Sequence, residues 1–301
     1  MAAEPPVSVT ESPRRARRIR WWRMIWVVAG ALVVVYVALV GAVALGHRRL
    51  LYPRPVGGEP RCTPPGEYLV FEGPHGRRIH TVHYPAPLGE PTVVFFHGNG
   101  DALVGKEPLL EAMAREGVGV YGVEYPGYGA ASAYRPSEAA IYEDAEAALQ
   151  RLATELGVPR EHTVLMGHSL GTGVAVEMAR RGFGARMILV APFTSIPDVG
   201  ARLVPAVPVR WILRDRFDSL SKAPGIKLPT LVVHGTADDV VPIELGRRLA
   251  AALPGARLLV MEGAGHGGGL VTEPQLGPPE VLRFARDATQ ARSLLIFEGE
   301  R

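Results

Sequence analysis

Apolar residues fall into two regimes along this chain. From Met24 to Gly46 they run without a charge, as MIWVVAGALVVVYVALVGAVALG. Beyond residue 66 they come in short blocks separated by polar, glycine- and proline-rich connections. The first regime predicts a transmembrane helix, because at about 1.5 Å per residue the run spans the roughly 30 Å hydrocarbon core. Trp21, Trp22 and Trp26 stand at one end, where amphipathic rings favour the interface. A cleaved signal peptide is the competing reading, with Ala42-Val43-Ala44 as the small-residue site and processing after Ala44. Signal cores usually run only about 7–15 residues, which favours an anchor.

The second regime predicts strands at Glu67–Phe71, Arg78–Tyr84, Thr92–Phe96, Gly119–Glu124, Thr163–Met166, Met187–Ala191, Thr230–His234 and Ala256–Glu262. Blocks such as TVVFF are apolar at successive positions, as parallel strands buried on both faces require. Helical periodicity falls between them, at Leu103–Glu116, Ser137–Leu156, Leu170–Arg181, Ile243–Leu253 and Pro279–Thr289. This β–α alternation predicts an α/β fold, a mostly parallel sheet with helices on both faces, and an antiparallel start where the first two strands lack a helix between them. Residues 192–228 interrupt the rhythm and are expected to form a small helical cap over the C-terminal edge of the sheet. The expected organisation is a basic leader (1–23), an anchor (24–46), a linker (47–66) whose Pro/Gly tract holds the body off the bilayer, a catalytic domain (67–290) and a tail (291–301).

The pI near 9.1 raises the question of nucleic acid. Residues 1–23 hold six arginines against Glu4 and Glu11, a net of +4, and the whole chain carries +3, so the remainder sums to −1. The basic character belongs to the leader, and the body presents no bulk electrostatic case for a nucleic-acid partner. Arg48, Arg49 and Arg54 follow the span, so the arginine excess on the leader predicts a cytoplasmic N-terminus and an extracytoplasmic body. The single cysteine, Cys62, precludes an internal disulfide, and its Pro-rich setting does not resemble a nucleophile's.

Candidate chemistry begins at Met166-Gly167-His168-Ser169-Leu170-Gly171, a Gly-x-Ser-x-Gly motif between a strand block and a helical one. In that context Ser169 sits on a strained strand-to-helix turn with its hydroxyl exposed, and the Leu170 N–H opens a helix where an oxyanion can bind. His97-Gly98-Asn99-Gly100 follows TVVFF; in folds with this elbow the loop after that strand supplies a second oxyanion N–H, here Asn99 through its backbone, with Gly100 as the alternative. The His97 side chain is read as a strand-end group that hydrogen-bonds the loop. A serine nucleophile needs a base, and the base a carboxylate. The carboxylates available are Asp238 and Asp239 in HGTADDVVP, and the base is His266 in GAGH, giving the chain order Ser, Asp, His that this fold uses. Proteases of the chymotrypsin and subtilisin types follow other orders.

From about residue 67 to 290 the chain resembles the α/β-hydrolase-domain family, in particular its membrane-tethered lysophospholipase, monoacylglycerol-lipase and depalmitoylase-like branch. The matching segments are HGNG (97–100), EYPGYG (124–129), RPSE (135–138), GHSLG (167–171), RFDSL (216–220), HGTADDVVP (234–242) and GAGH (263–266). EYPGYG departs from the Asp-Tyr-Arg-Gly-Tyr-Gly that relatives usually carry. The resemblance implies that Asp238 is the acid, since it falls third after His-Gly and ahead of a Val-Pro, with Asp239 as runner-up. It further implies hydrolysis of an acyl or lipid ester with no cofactor or metal. Rival readings are a peptidase or amidase of the same fold, and a catalytically idle membrane-tethered binding protein.

Overall fold

The unbroken apolar blocks do become buried strands. The computed structural model describes residues 13–267 and 279–287. Among these, eight strands form one sheet: β1 (Glu67–Glu72), β2 (Arg78–Tyr84), β3 (Thr92–Phe96), β4 (Gly119–Val123), β5 (Thr163–His168), β6 (Arg186–Val190), β7 (Thr230–Gly235) and β8 (Arg257–Met261). Their spatial order is β1-β2-β4-β3-β5-β6-β7-β8. β1 and β2 pair antiparallel and β2 meets β4 antiparallel, as the missing helix between the first two strands predicts. Every later pairing is parallel.

Every residue of β3, β4, β5 and β7 is buried, whereas β8 at the far edge is half-buried throughout. Alternation along β3 divides the core in two. Val94 and Phe96 join a cluster with Ile141, Leu149, Val174 and Leu245, and Val93 and Phe95 join another with Leu110, Met113 and Phe284. The first cluster is closed by α3 (Glu138–Thr154), α4 (Leu170–Arg180) and α8 (Ile243–Ala252), the second by α2 (Glu107–Arg115) and α9 (Pro279–Arg286). The sheet is therefore covered on both faces. At about 1.5–3 kcal/mol for each large side chain removed from water, these two layers dominate the stability.

Helix boundaries follow local chemistry. Ser137 caps α3 by accepting from the Ala140 N–H at 3.2 Å. α2 starts four residues later than its periodicity predicts, because Gly105 has φ +93° and Pro108 occupies the first turn. Residues 192–228 form three short helices, α5 (Ile196–Leu203), α6 (Val209–Ile212) and α7 (Ser219–Lys222). The last returns to the body where the Lys222 ammonium meets Glu177 of α4 at 2.8 Å.

The N-terminal helix, α1, runs from Pro13 to Leu51, and its stretch Arg20–Arg49 contains an 18-residue window of mean hydropathy 2.7, long and apolar enough to be a candidate membrane span. The chain divides into two compact units after His47. Residues 47–51, expected in the linker, are helical, since nothing stops the helix until Pro53 restricts the residue before it. Nor is the Pro/Gly tract a free spacer. Tyr52 is 1% exposed, Val56 bridges Gly129, the Gly129 N–H donates to Pro55 C=O at 2.9 Å, and Arg54 reaches Ser132 C=O at 2.7 Å. Residues 48–56 are a strap laid along the sheet-bearing body. The expected tail (291–301) lies outside the described residues.

Candidate active site

Ser169 occupies the turn from β5 into α4 with φ 50° and ψ −115°, a conformation costly for any side chain. The turn holds because its backbone is tied at both ends. The Ser169 N–H donates to Val190 C=O at 2.9 Å, and the Thr172 N–H and hydroxyl both return to Ser169 C=O, at 2.9 and 2.6 Å. Its two flanking glycines are required by space: a Cβ on Gly171 would overlap the Phe96 carbonyl, and one on Gly167 the Gly171 backbone.

The Ser169 hydroxyl lies 2.9 Å from His266 Nε2. The other ring nitrogen, Nδ1, is 2.9 and 3.0 Å from the two carboxylate oxygens of Asp238, so Nδ1 carries the proton and Nε2 is left to accept from the serine. The Asp238 side chain is fully shielded from solvent and accepts from the Val240 and Val241 N–H groups at 2.9 and 2.8 Å. Burial by itself would raise its pKa. Hydrogen bonds from His234, His266 and the Val241 N–H outweigh that and hold the carboxyl well below the usual carboxylate range. Asp239 is exposed on the same loop. Of the two neighbouring carboxylates, Asp238 alone meets the imidazole.

The Leu170 N–H stands at the first turn of α4, where no intrahelical carbonyl faces it. Neither it nor the Asn99 N–H donates to a backbone carbonyl among the described residues. The loop bearing Asn99 rests on a buried pair. His97 Nε2 lies 2.8 Å from Glu124 Oε1, while Glu124 also accepts from the Leu103 and Tyr125 N–H groups at 3.0 and 3.3 Å. His97 is thus the loop-holding residue its position predicts, and Glu124 of EYPGYG is what it holds. The other half of that segment, Tyr128, donates its hydroxyl to Asn99 Oδ1.

Sequence reasoning missed several supporting groups. His234, at the end of β7, is completely buried, with Nε2 2.9 Å from Val241 C=O and 3.3 Å from Asp238 Oδ2. His168, next to the serine, lies tilted against the His266 ring with centroids 5.2 Å apart, and its Nδ1 is 3.6 Å from Asp101. Burial lowers the His168 pKa against the opposing pull of Asp101. Their only trace in the sequence is that each sits inside a motif already singled out. Among the described residues no cluster of histidine, cysteine or carboxylate side chains has metal-holding geometry.

An eight-stranded, mostly parallel sheet with a serine on the sharp turn after its central strand, facing a histidine–aspartate pair, defines an α/β-hydrolase architecture. A family model described as serine aminopeptidase, S33, matches residues 89–222, and one described as TAP-like protein matches residues 210–275. An uncharacterized protein of Mycobacterium tuberculosis is 34% identical over 244 residues, 76% of this chain and 86% of that one. The human alpha/beta hydrolase domain-containing protein 17C is 34% identical over 183 residues, 60% of this chain but only 54% of the relative's length. Among solved structures, the Pyrococcus furiosus esterase Pf2001 shares the fold at TM-score 0.62 and 17% identity, over 76% of this chain and 97% of that one. The chain belongs to the α/β-hydrolase family.

Proposed function

We propose that this protein is a membrane-anchored serine hydrolase that cleaves carboxylic esters, acyl and lipid esters foremost, through a covalent acyl-enzyme. The observation that carries the reading is the continuous relay from Asp238 through His266 to Ser169, with every link near 3 Å. His266 Nε2 takes the Ser169 proton as Oγ attacks the ester carbonyl. The Leu170 and Asn99 N–H groups hold the oxyanion, and His266 returns the proton to the departing alcohol. Water, deprotonated by the same imidazole, then attacks the acyl carbon and releases the acid. No metal or organic cofactor takes part.

Residues 67–290 form the catalytic domain in this reading, with 192–228 as its cap. The apolar helix anchors it, the leader lies in the cytoplasm, and the catalytic body lies on the far side. A lipid-like acyl group is favoured by that apolar span and by the apolar cap, where Leu203 and Trp211 are exposed. The description of the matching family as serine aminopeptidase supports a second reading, an amidase or peptidase with the same machinery.

A fluorophosphonate probe tests the nucleophile. It should label the full-length protein in detergent, and Ser169→Ala should abolish labelling without loss of fold; a label that persists in that variant refutes the assignment. A panel of p-nitrophenyl esters, lysophospholipids, monoacylglycerols and aminoacyl amides separates the two substrate readings, and preferential turnover of the amides would overturn the first.

A further inference from the structure

The last turn of α1 and the strap after it reach the oxyanion loop. Arg48 grips Asp215 in the cap region through Nε and Nη2, at 3.0 and 3.2 Å, and Asp215 is buried. Four residues on, the Tyr52 ring is sealed in the core and its N–H donates to Arg48 C=O at 3.0 Å. Between them lies the Leu51 carbonyl, one of the orphan acceptors at the end of a helix. Its donor comes from another part of the fold: Asn99 Nδ2. The same amide accepts from the Tyr128 hydroxyl through Oδ1. The Asn99 side chain is therefore held at both its polar atoms. Farther along, Pro55 and Val56 pair with Gly129, next to Tyr128, so strap and tyrosine form one frame.

We infer that this frame is a positioning element for the oxyanion hole, with the juxtamembrane strap fixing the Asn99 backbone N–H through the Asn99 side chain. The inference rests on the functional reading above, in which that N–H receives developing negative charge. An oxyanion donor works only if it is held about 2.7–3.1 Å from where the charge appears. Asn99 lies between Gly98 and Gly100, which do little to restrain the loop. The turn is tied on one side by Asp101, whose N–H donates to Gly98 C=O at 3.2 Å and whose carboxylate accepts the Gly98 N–H at 3.2 Å. The amide of Asn99 ties the other side. Burial holds the Tyr128 phenol protonated, its pKa far above the usual range, so it remains a donor at any working pH. Tyr128 and the strap touch no reacting atom and act through Asn99.

The test uses full-length protein in detergent micelles with p-nitrophenyl butyrate. Asn99→Ala keeps the backbone N–H and removes both ties. It should lower kcat about tenfold and leave KM within about twofold, because the lost precision matters in the transition state. Affinity for an alkyl trifluoromethyl ketone, which forms the tetrahedral adduct, should fall by the same factor. Tyr128→Phe should lower kcat about threefold, and adding it to Asn99→Ala should change nothing further, since the hydroxyl acts only through that amide. Arg48→Met, which frees the strap from Asp215, should show the same kcat-selective loss. Rates are divided by the active fraction that a fluorophosphonate titrates, so misfolding is not read as lost chemistry. Asn99→Ala or Arg48→Met at wild-type kcat, or a double variant showing the product of the single losses, overturns the inference. A wild type inert to both ester and probe refutes the functional reading and this inference with it; an active wild type with indifferent variants refutes this inference alone.

Discussion

Replacing Asp238 and Asp239 in turn by asparagine asks whether the relay is read on the correct carboxylate. Asp238 accepts from two backbone N–H groups and from the His266 imidazole in a shielded pocket, with His234 Nε2 a further 3.3 Å contact. An asparagine there can keep the backbone N–H groups on its oxygen, which turns its NH₂ toward His266 Nδ1. That nitrogen must then accept, the proton moves to Nε2, and the imidazole presents a donor to Ser169 where an acceptor is needed. Loss of the base with intact geometry costs about 10⁴-fold in kcat, roughly 5 kcal/mol of transition-state stabilisation at 1.36 kcal/mol per decade. Asp239 is exposed, and a solvated loop charge contributes little, so Asp239→Asn should cost tenfold or less. The assay is single-turnover acylation by p-nitrophenyl butyrate, beside thermal melts of both variants. If Asp239→Asn is the more damaging at equal Tm, the acid has been placed one residue too early.

Three other outcomes are expected. The pKa of Glu177 is held down at about 2: burial would raise it, but hydrogen bonds from Arg180, Lys222 and Arg181 outweigh that. This stabilisation is fully present above the unfolded value near 4.5 and is lost as pH falls toward 2, so urea melts at pH 7 and pH 3 should differ by about 2 kcal/mol less in Glu177→Gln than in wild type, and equal differences would refute the reasoning. Phe96→Ala, in the fully buried β3, should destabilise by about 3–5 kcal/mol in denaturant melts, and a loss below 1 kcal/mol would contradict the described core. A phosphatase reporter that works only outside the cytoplasm should be active when fused after residue 60, while strong signal from a cytoplasm-only reporter there would reverse the proposed orientation.

The sheet was legible because burial on both faces leaves a sequence trace: TVVFF and TLVVHG have no polar face to lose. Strand ends moved by a residue or two, and the β5 block extended through His168 because Gly167 and His168 pair with Leu189 and Val190. The start of α2 was misread because periodicity says nothing of the positive φ at Gly105. Of the candidate site, Ser169 and His266 could be read from motif context and chain order, and Asp238 over Asp239 from the family resemblance; the structure brings the three side chains within hydrogen-bond reach. The groups that hold them could not, since each contact joins residues far apart in sequence, as His97 joins Glu124 and Asn99 joins Leu51. The strap was the largest surprise. A tract of proline and glycine reads as a spacer whether it floats or lies hydrogen-bonded to a neighbouring loop, because backbone bonds do not depend on the side chains that composition counts.

The backbone of Ser169 has a consequence for the protein's history. Its φ of 50° and ψ of −115° suit a residue without a Cβ, so a glycine there would relieve strain of order 1–3 kcal/mol. A library of variants screened for heat resistance alone would be expected to enrich that glycine. Under the proposed mechanism, serine at this position is kept by a pressure that heat resistance does not supply, and a lineage released from that pressure should lose the hydroxyl early while keeping its fold.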